Sequence, residues 1–203
     1  DSNAFMTLCL LELSDYYNSF YNIDKNKYNL KPLYSLMCKN QLEFYALHFR
    51  NIQGIFTDKK YENSSPSEDL KFVEKNKKFK FSSQALLMNA YYKCSLLLEK
   101  EEEEEFKNFS LDILNMLIDS KEELYDLSFE ELTKLCFALN IFYNYSKDTK
   151  CKDLILDISE LLFEKYYGQN SQSSILKNID VENDALNYIN YTLIYRNTNI
   201  IKS

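Results

Sequence analysis

The sequence predicts an all-α protein, built as an array of antiparallel helical hairpins without a β-sheet. Glycine and proline each occur only twice in 203 residues, far below their usual shares of about 7% and 5%. Folds that need many tight turns are therefore disfavoured. Apolar residues recur at spacings of three and four, as on one face of a helix. Two segments about 45 residues apart also resemble each other, which is typical of stacked repeats.

The N-terminal third predicts two helices, over residues 3–22 and 28–49. Leu8, Leu11 and Phe20 follow the helical spacing in the first segment. Pro32 suits the first turn of the second, where its missing N–H is not needed. We assign residues 1–50 to this N-terminal helical part of a single domain.

Residues 51–81 interrupt the helical pattern and are predicted to form a long polar loop. They contain Gly54, the polar run 63–69 and a lysine cluster, which we interpret as a solvated loop. The cluster comprises Lys71, Lys75, Lys77, Lys78 and Lys80. Connections this long are usually functional or disordered, so we expect any functional site here.

Residues 82–167 predict two helical hairpins, with helices over 82–98, 108–118, 128–145 and 148–167. Ser128 and Glu131 have the spacing of a capping box at a helix start. Gly168 is expected to end the fourth helix, and the acidic run 101–105 is interpreted as a solvated linker. Residues 168–203 then hold a last helix, over 180–195, and a tail.

A shift of 45 residues aligns the two hairpins. It pairs Leu87 with Leu132 and Leu111 with Leu156, and FKNFSLDILNMLI shares five of thirteen positions with CKDLILDISELLF. A single hairpin cannot bury its own apolar faces, so stacked hairpins sharing one core are expected. The alternative is that two amphipathic helices resemble each other by chance.

The unit SQALLMNAYYKCSLLLEK followed by FKNFSLDILNMLI resembles the helical hairpin of α/α-toroid proteins, the six-hairpin glycosidase and epimerase-like group. The segment from Gly54 to Asp58 is similar to loops at the mouth of such toroids. The resemblance covers about residues 50–167 and implies a partial toroid or an open solenoid, because a closed toroid needs more helices. Residues 79–88 are also similar to a clostridial family of unknown function.

The toroid resemblance implies a carbohydrate-active or epimerase-like enzyme as one alternative function. Glycoside hydrolysis requires two carboxylates about 5–9.5 Å apart; Asp58 and Glu43 are the candidates, and no other catalytic residue is predicted. His48 is interpreted as a packing residue rather than a catalyst. Nucleotide-binding and metalloprotease motifs are absent, and the cysteines lack zinc spacing, so no cofactor and no metal is expected.

Six polar and aromatic residues are candidates for ligand binding: Arg50, Asn51, Gln53, Gln84, Tyr91 and Tyr92. The first four could recognise a polar ligand through paired hydrogen bonds, or could instead cap helices and pin the loop. Adjacent tyrosines lie about 100° apart around a helix, so each pair would contribute one ring to the core and one to a groove edge. Tyrosine-rich grooves suit peptides.

Charge and cysteine content limit the partners and the compartment. A net charge of −7 and a pI of about 4.9 disfavour nucleic acid, although RNA binding by a helical repeat stays an alternative. No apolar run is long enough to span a membrane. The five cysteines are odd in number and include no closely spaced pair. They therefore suggest reduced, buried thiols in a cytoplasmic protein. The chain starts at Asp1, which leaves a removed signal peptide open.

These observations together predict a non-catalytic scaffold or binding module. The expected partner is a protein or peptide, with a carbohydrate as the alternative ligand. The expected binding surface is a concave face formed by the first helix of each hairpin.

Overall fold

The computed structural model of the protein describes residues 2–62, 71–76, 79–170 and 181–199. The described chain forms α1 (Ser2–Ser19), α2 (Lys25–Tyr28), α3 (Lys31–Phe49), β1 (Asp58–Glu62), β2 (Lys71–Asn76), α4 (Phe81–Ser95), α5 (Lys100–Asp119), a 3-10 helix (Lys121–Asp126), α6 (Phe129–Ser146), α7 (Thr149–Asn170) and α8 (Val181–Thr198). None of these helices is long and apolar enough to cross a bilayer.

The helices pack as antiparallel hairpins, so the predicted all-α array is confirmed. α1 pairs with α3, α4 with α5, and α6 with α7. Their first helices also contact one another in the order α1, α4, α6, and α8 follows beside α6. The two segments related by the 45-residue shift therefore share one core, because α4 packs directly on α6.

α4 is the centre of this core. Every residue of α4 except Ser83 is buried, including its polar residues. Its polar groups bond to the neighbouring helices. Asn89 Nδ2 donates to the carbonyl of Ala138 in α6 at 2.8 Å, and Ser110 Oγ of α5 donates to the carbonyl of Met88 at 2.9 Å.

The prediction of no β-sheet, with residues 51–81 as a polar loop, needs correction. β1 and β2 form a two-stranded antiparallel sheet with a bulge between Asp58 and Lys59. We call this two-stranded sheet the β-hairpin. All other secondary-structure elements of the described residues are helical. Lys71 and Lys75 belong to β2, whereas Lys77, Lys78 and the run 63–69 lie outside the described residues.

Phe72 of β2 attaches the β-hairpin to α3. Its ring lies 5.8 Å from the ring of Phe44, 5.3 Å from His48 and 5.4 Å from Phe49, between centroids. Aromatic pairs at such distances contribute packing energy beyond simple burial. His48 therefore packs in an aromatic cluster, in line with its interpretation from the sequence. The hairpin was missed because lysines obscure its alternating pattern.

Two helix boundaries also differ from those predicted. The acidic run 101–105 lies within α5, which begins at Lys100 rather than at residue 108. Carboxylates in a first helical turn are favourable because they face unpaired N–H groups and the positive end of the helix dipole. Gly168 does not end α7, which continues to Asn170. Pro32 does lie in the first turn of α3, as predicted.

The capping box at the start of α6 is only half formed. Ser128 Oγ accepts a hydrogen bond from the N–H of Glu131 at 3.2 Å, as the motif requires. The Glu131 carboxylate does not return to Ser128 but binds Ser82, accepting from its N–H at 2.9 Å and its hydroxyl at 3.0 Å. The carboxylate therefore caps α4 and links the two hairpins.

Candidate functional site

A tight turn precedes β1 and contains three of the predicted ligand-binding residues. Asn51 Oδ1 accepts hydrogen bonds from the N–H groups of Gln53 at 2.9 Å and Ile55 at 3.0 Å. Gly54 has a φ of 82°, which glycine adopts without strain. Arg50 Nε donates to the Gly54 carbonyl at 2.8 Å, and its guanidinium lies 4.5 Å from the Phe109 ring centre.

Gln84 fastens this turn to the central helix. Its side chain is fully buried. Gln84 Oε1 accepts from the N–H of Phe56 at 3.1 Å, and Nε2 donates to the Phe56 carbonyl at 2.7 Å. The side-chain amide of Gln84 thus pairs with both backbone groups of Phe56, as a residue of a neighbouring strand would. The side chains of Arg50, Asn51 and Gln84 are engaged within the protein, so their contacts support the loop-pinning interpretation. The Gln53 side chain is exposed.

Tyr91 and Tyr92 both lie in the core rather than at a groove edge. Tyr91 is 3% exposed, and its hydroxyl donates to the Leu42 carbonyl at 2.6 Å. Burial raises the pKa of Tyr91. The Tyr92 ring is 6% exposed and packs edge-on against Phe142 of α6, with 5.1 Å between ring centroids. Neither ring offers an accessible face to a peptide in this arrangement.

Asp58 lines a small cavity between the turn, α3 and the start of α4. The cavity has a volume of about 70 Å³, and Tyr45, Thr57, Lys80 and Ser83 are among its lining residues. Asp58 Oδ2 lies 3.8 Å from Lys80 Nζ. Ligand pockets usually measure about 300–1,000 Å³, so this space suits a few water molecules rather than a sugar ring.

Glu43 is not among the described residues that line this cavity. It lies on α3, where its carboxylate is 3.9 Å from Lys39 Nζ, and the same ammonium binds Glu102. The two carboxylates suggested as a catalytic pair therefore have different lysine partners. No other carboxylate lines the cavity among the residues described there.

A buried lysine is the polar centre that sequence reasoning missed. The Lys93 side chain is 6% exposed, contacts the Glu12 carboxylate, and lies 3.2 Å from Asp15 Oδ2. Its ammonium also lies 5.4 Å from the Tyr145 ring centre. Burial alone would lower the pKa of Lys93, but the bond to Glu12, with Tyr145 and Asp15 nearby, raises it overall. The lysine thus stays charged and joins α4 to α1. A lone lysine in an apolar helix was its signal.

The outward side of α1 carries an exposed apolar surface. α1 turns small or polar side chains inward, burying Ala4, Thr7, Leu11 and Ser14. Large apolar side chains point outward: Phe5, Met6, Leu13 and Tyr16, each between 39% and 58% exposed, together with the exposed Cys9. We call these five residues the α1 face. Contiguous exposed apolar patches mark interaction sites in many proteins.

α8, at the other end of the row, has the same inverted character. It buries Asn187, Asn190, Ile194 and Thr198 against the array. Asn190 Nδ2 donates to the Thr133 carbonyl of α6 at 2.8 Å. Its exposed apolar residues are Val181, Tyr188, Ile189 and Tyr195, each between 48% and 72% exposed. We call these four residues the α8 face.

A groove between the 3-10 helix and α7 is acidic. Its volume is about 480 Å³, and Glu122, Asp157, Glu160 and Glu164 line it. Lys121 lies 3.6 Å from Asp157 and reduces its negative charge. Across the described part of the chain, no group of three or more His, Cys, Asp or Glu residues could hold a metal ion.

Four of the five cysteines are buried: Cys38, Cys94, Cys136 and Cys151. Burial raises the pKa of the Cys38 thiol to about 11 and that of Cys94 to about 12. Since the thiolate is the reactive form, these thiols are unreactive at neutral pH. Cys9 lies on the α1 face and is exposed, so it is a natural reporter for anything that covers that face.

Cys136 makes the free energy of unfolding dependent on alkaline pH. Burial, partly opposed by the Asn140 hydrogen bond, raises its pKa from 9.0 to about 12. The unfolded chain binds fewer protons than the folded one between these values. The free energy of unfolding therefore falls as pH rises, by up to about 1.4 kcal/mol per pH unit from this thiol.

Urea denaturation between pH 8 and 10.5 measures this slope. Cys136→Ala should show a shallower fall than the unmodified protein. Equal slopes for the protein and Cys136→Ala would contradict the prediction.

Comparison of the chain with protein-family models, with curated proteins and with solved structures finds no match in any of the three.

Proposed function

We propose that this protein is a non-catalytic helical scaffold that binds an amphipathic helix of a partner protein on the α1 face. The observation that carries the proposal is the orientation of α1: large apolar side chains point to solvent while Ala4, Thr7 and Ser14 are buried. A further helix placed beside α1 would extend the existing row of hairpins. It would bury the apolar side chains as α4 and α6 bury theirs.

The charge around this face favours a basic partner. α1 contains Glu12 and Asp15 but no lysine or arginine. Their carboxylates share the single Lys93 ammonium and keep exposed fractions of 64% and 54%, so the border carries excess negative charge. A partner helix with lysine or arginine beside its apolar stripe would match this border, and salt would weaken the association.

The expected affinity is moderate. Full burial of one large apolar side chain contributes about 1.5–3 kcal/mol, and each residue of the α1 face is already partly covered. Ordering and association offset several kcal/mol of that gain. We therefore expect a micromolar dissociation constant, about −8 kcal/mol, as in reversible scaffolding.

The binding surface differs in position from the concave face expected from the sequence. α4 would form the middle of that face, but its side chains are covered by α1, α3, α5 and α6. The edge of the row, rather than its middle, offers accessible apolar area.

The contacts of the residues considered for catalysis and for RNA binding favour neither alternative function. The cavity at Asp58 is small, and the described residues lining it supply one carboxylate, whereas glycoside hydrolysis needs two. For RNA binding, Lys59 donates to the Arg50 carbonyl at 2.9 Å, and Lys80 pairs with Asp58. Lysines held in this way are less available to phosphate groups.

Selection from a displayed library of helical peptides tests the proposal. We expect the enriched peptides to be amphipathic, with lysine or arginine flanking an apolar stripe. Bound peptide should protect Cys9 from maleimide. Leu13→Asp should weaken binding about tenfold or more, because it places a charge in the centre of the apolar contact.

Leu47→Asp is the matched control, since Leu47 is 77% exposed and belongs to α3 rather than to the α1 face. It should change peptide affinity less than about twofold, because scattered surface leucines carry little binding energy. The proposal is wrong if the enriched peptides lack helical periodicity, carry acidic flanks, or bind Leu13→Asp as well as the unmodified protein.

A further inference from the structure

α8 is folded with its more polar side inward. Asn187 and Asn190 are buried toward the array, whereas Tyr188 and Tyr195 point to solvent. A surface helix of a globular protein normally shows the reverse arrangement. The outward side of α8 therefore has the composition of an interface, independently of the α1 face.

The outward residues of α8 also follow a heptad repeat. Val181, Tyr188 and Tyr195 are spaced by seven, and Ala185 and Thr192 lie four residues after the first two. All five are exposed. Positions repeating in this way form the a/d seam through which helices pack knobs-into-holes. The pattern favours packing against another helix that lies along α8.

The charges beside this seam identify that neighbour. Glu182 lies seven residues before Ile189, and Arg196 lies seven residues after it. If two α8 helices pack antiparallel with Ile189 opposite its counterpart, each Glu182 faces an Arg196 of the other copy. Arg196 forms no ion pair with any other residue that the structure describes, and both side chains belong to exposed residues.

We propose that α8 is a self-association surface, through which two copies of this chain pair across a two-fold axis near Ile189. Antiparallel two-fold pairing satisfies two Glu182–Arg196 contacts at once, as expected for an interface in which the same patch is used twice. A parallel, in-register pairing would bring neither Glu182 to an Arg196, because equivalent residues then lie at the same level along the two helices.

The α1 face is a poorer self-association surface. Its border carries Glu12 and Asp15 and no cation from the same helix, so two α1 helices would place carboxylates against carboxylates. Like charges brought together across an interface oppose association. The two ends of the row are thus suited to different neighbours.

Sedimentation velocity with charge-reversal variants tests the proposal. At tens of micromolar we expect a species of twice the 24.2 kDa chain mass. Arg196→Glu and Glu182→Arg should each weaken the dimer about tenfold, because two attractive contacts become repulsive. The double variant, which swaps both charges, should recover the original dissociation constant to within about threefold. Circular dichroism verifies that each variant stays helical.

Disulfide cross-linking gives a second measurement that does not depend on affinity. In a Cys9→Ser background, Ile189→Cys should form a covalent dimer on mild oxidation, because the two-fold axis places the two cysteines opposite each other. Tyr125→Cys is the control, since Tyr125 is 67% exposed and distant in sequence from α8; it should stay monomeric.

Three outcomes would overturn the proposal. They are a monomer at every concentration, a dimer that Arg196→Glu leaves unchanged, and oligomers that grow beyond two copies with concentration. The last result would indicate head-to-tail contact between the α1 face and the α8 face instead.

Discussion

Phe142→Ala is expected to lower the free energy of unfolding by about 3–5 kcal/mol, the usual cost of removing a fully buried aromatic side chain. Phe142 has no exposed surface, and its ring packs edge-on against Tyr92 at 5.1 Å. It lies where α6 of one hairpin meets α4 of the other. Alanine would leave a cavity at this interface, and the rigid helices around it could close it only in part.

Urea denaturation followed by circular dichroism measures this loss as a shift in midpoint at constant slope. Ile141→Ala is the matched control, because Ile141 is its neighbour on α6 but is only partly buried. The control should lose clearly less, about 1–2 kcal/mol. A loss below about 1 kcal/mol for Phe142→Ala would show that α4 and α6 do not share a tightly packed core.

Gln84→Leu is expected to cost about 3 kcal/mol, although leucine is apolar and similar in size. The substitution leaves both backbone groups of Phe56 without the partners that Gln84 supplies. Each buried polar group left unpaired costs about 1–3 kcal/mol. The turn that precedes β1 would then lose its main attachment to α4.

Hydrogen exchange provides the local measurement for this variant. The amide of Phe56 should exchange much faster in Gln84→Leu, because the hydrogen bond that protects it in the unmodified protein is absent. Gln53→Leu is the control, because the Gln53 side chain is exposed; its stability should change by less than about 0.5 kcal/mol. An unchanged exchange rate at Phe56 would mean that Gln84 does not pin the turn.

The helical row has two different ends. The α1 face is apolar with an acidic border, while the heptad seam of α8 lies beside acidic residues in its first turn and Arg196 in its last. The two end helices, α1 and α8, share one feature: each buries small or polar side chains and exposes large apolar ones. An end helix of this kind keeps the row soluble only when its outer face is covered or its apolar area stays small.

Much of the helical fold could be predicted from the sequence because helices depend on local spacing. The start of α6 beside Ser128 and the place of Pro32 in α3 followed from rules acting within one helical turn. The sheet could not be predicted in this way. Its strands depend on Phe72 finding the aromatic side chains of α3, a contact between residues far apart in the sequence.

The candidate site shows the same division more strongly. Arg50, Asn51 and Gln84 were recognisable as unusual polar residues, yet their role depends on the backbone of Phe56 and the ring of Phe109. From the sequence, one ring of the Tyr91 and Tyr92 pair was expected at a groove edge. Helical geometry gives the angle between the two side chains around the helix, but not which other helices pack against them. The ion pairs of Lys93 could not be predicted from the sequence, because its partners Glu12 and Asp15 are about eighty residues away in the chain.

The amino-acid order by itself determined that this protein is helical and that most of its thiols are buried, since propensity and periodicity act over a few residues. Only the tertiary structure decided which faces remain open. The outward faces of α1 and α8 are apolar in sequence like those of a core helix, and they differ from α4 because they stay exposed in the part of the chain that the structure describes. Burial is a property of the whole packing, so the exposed apolar surfaces can be identified only when the helices are in place.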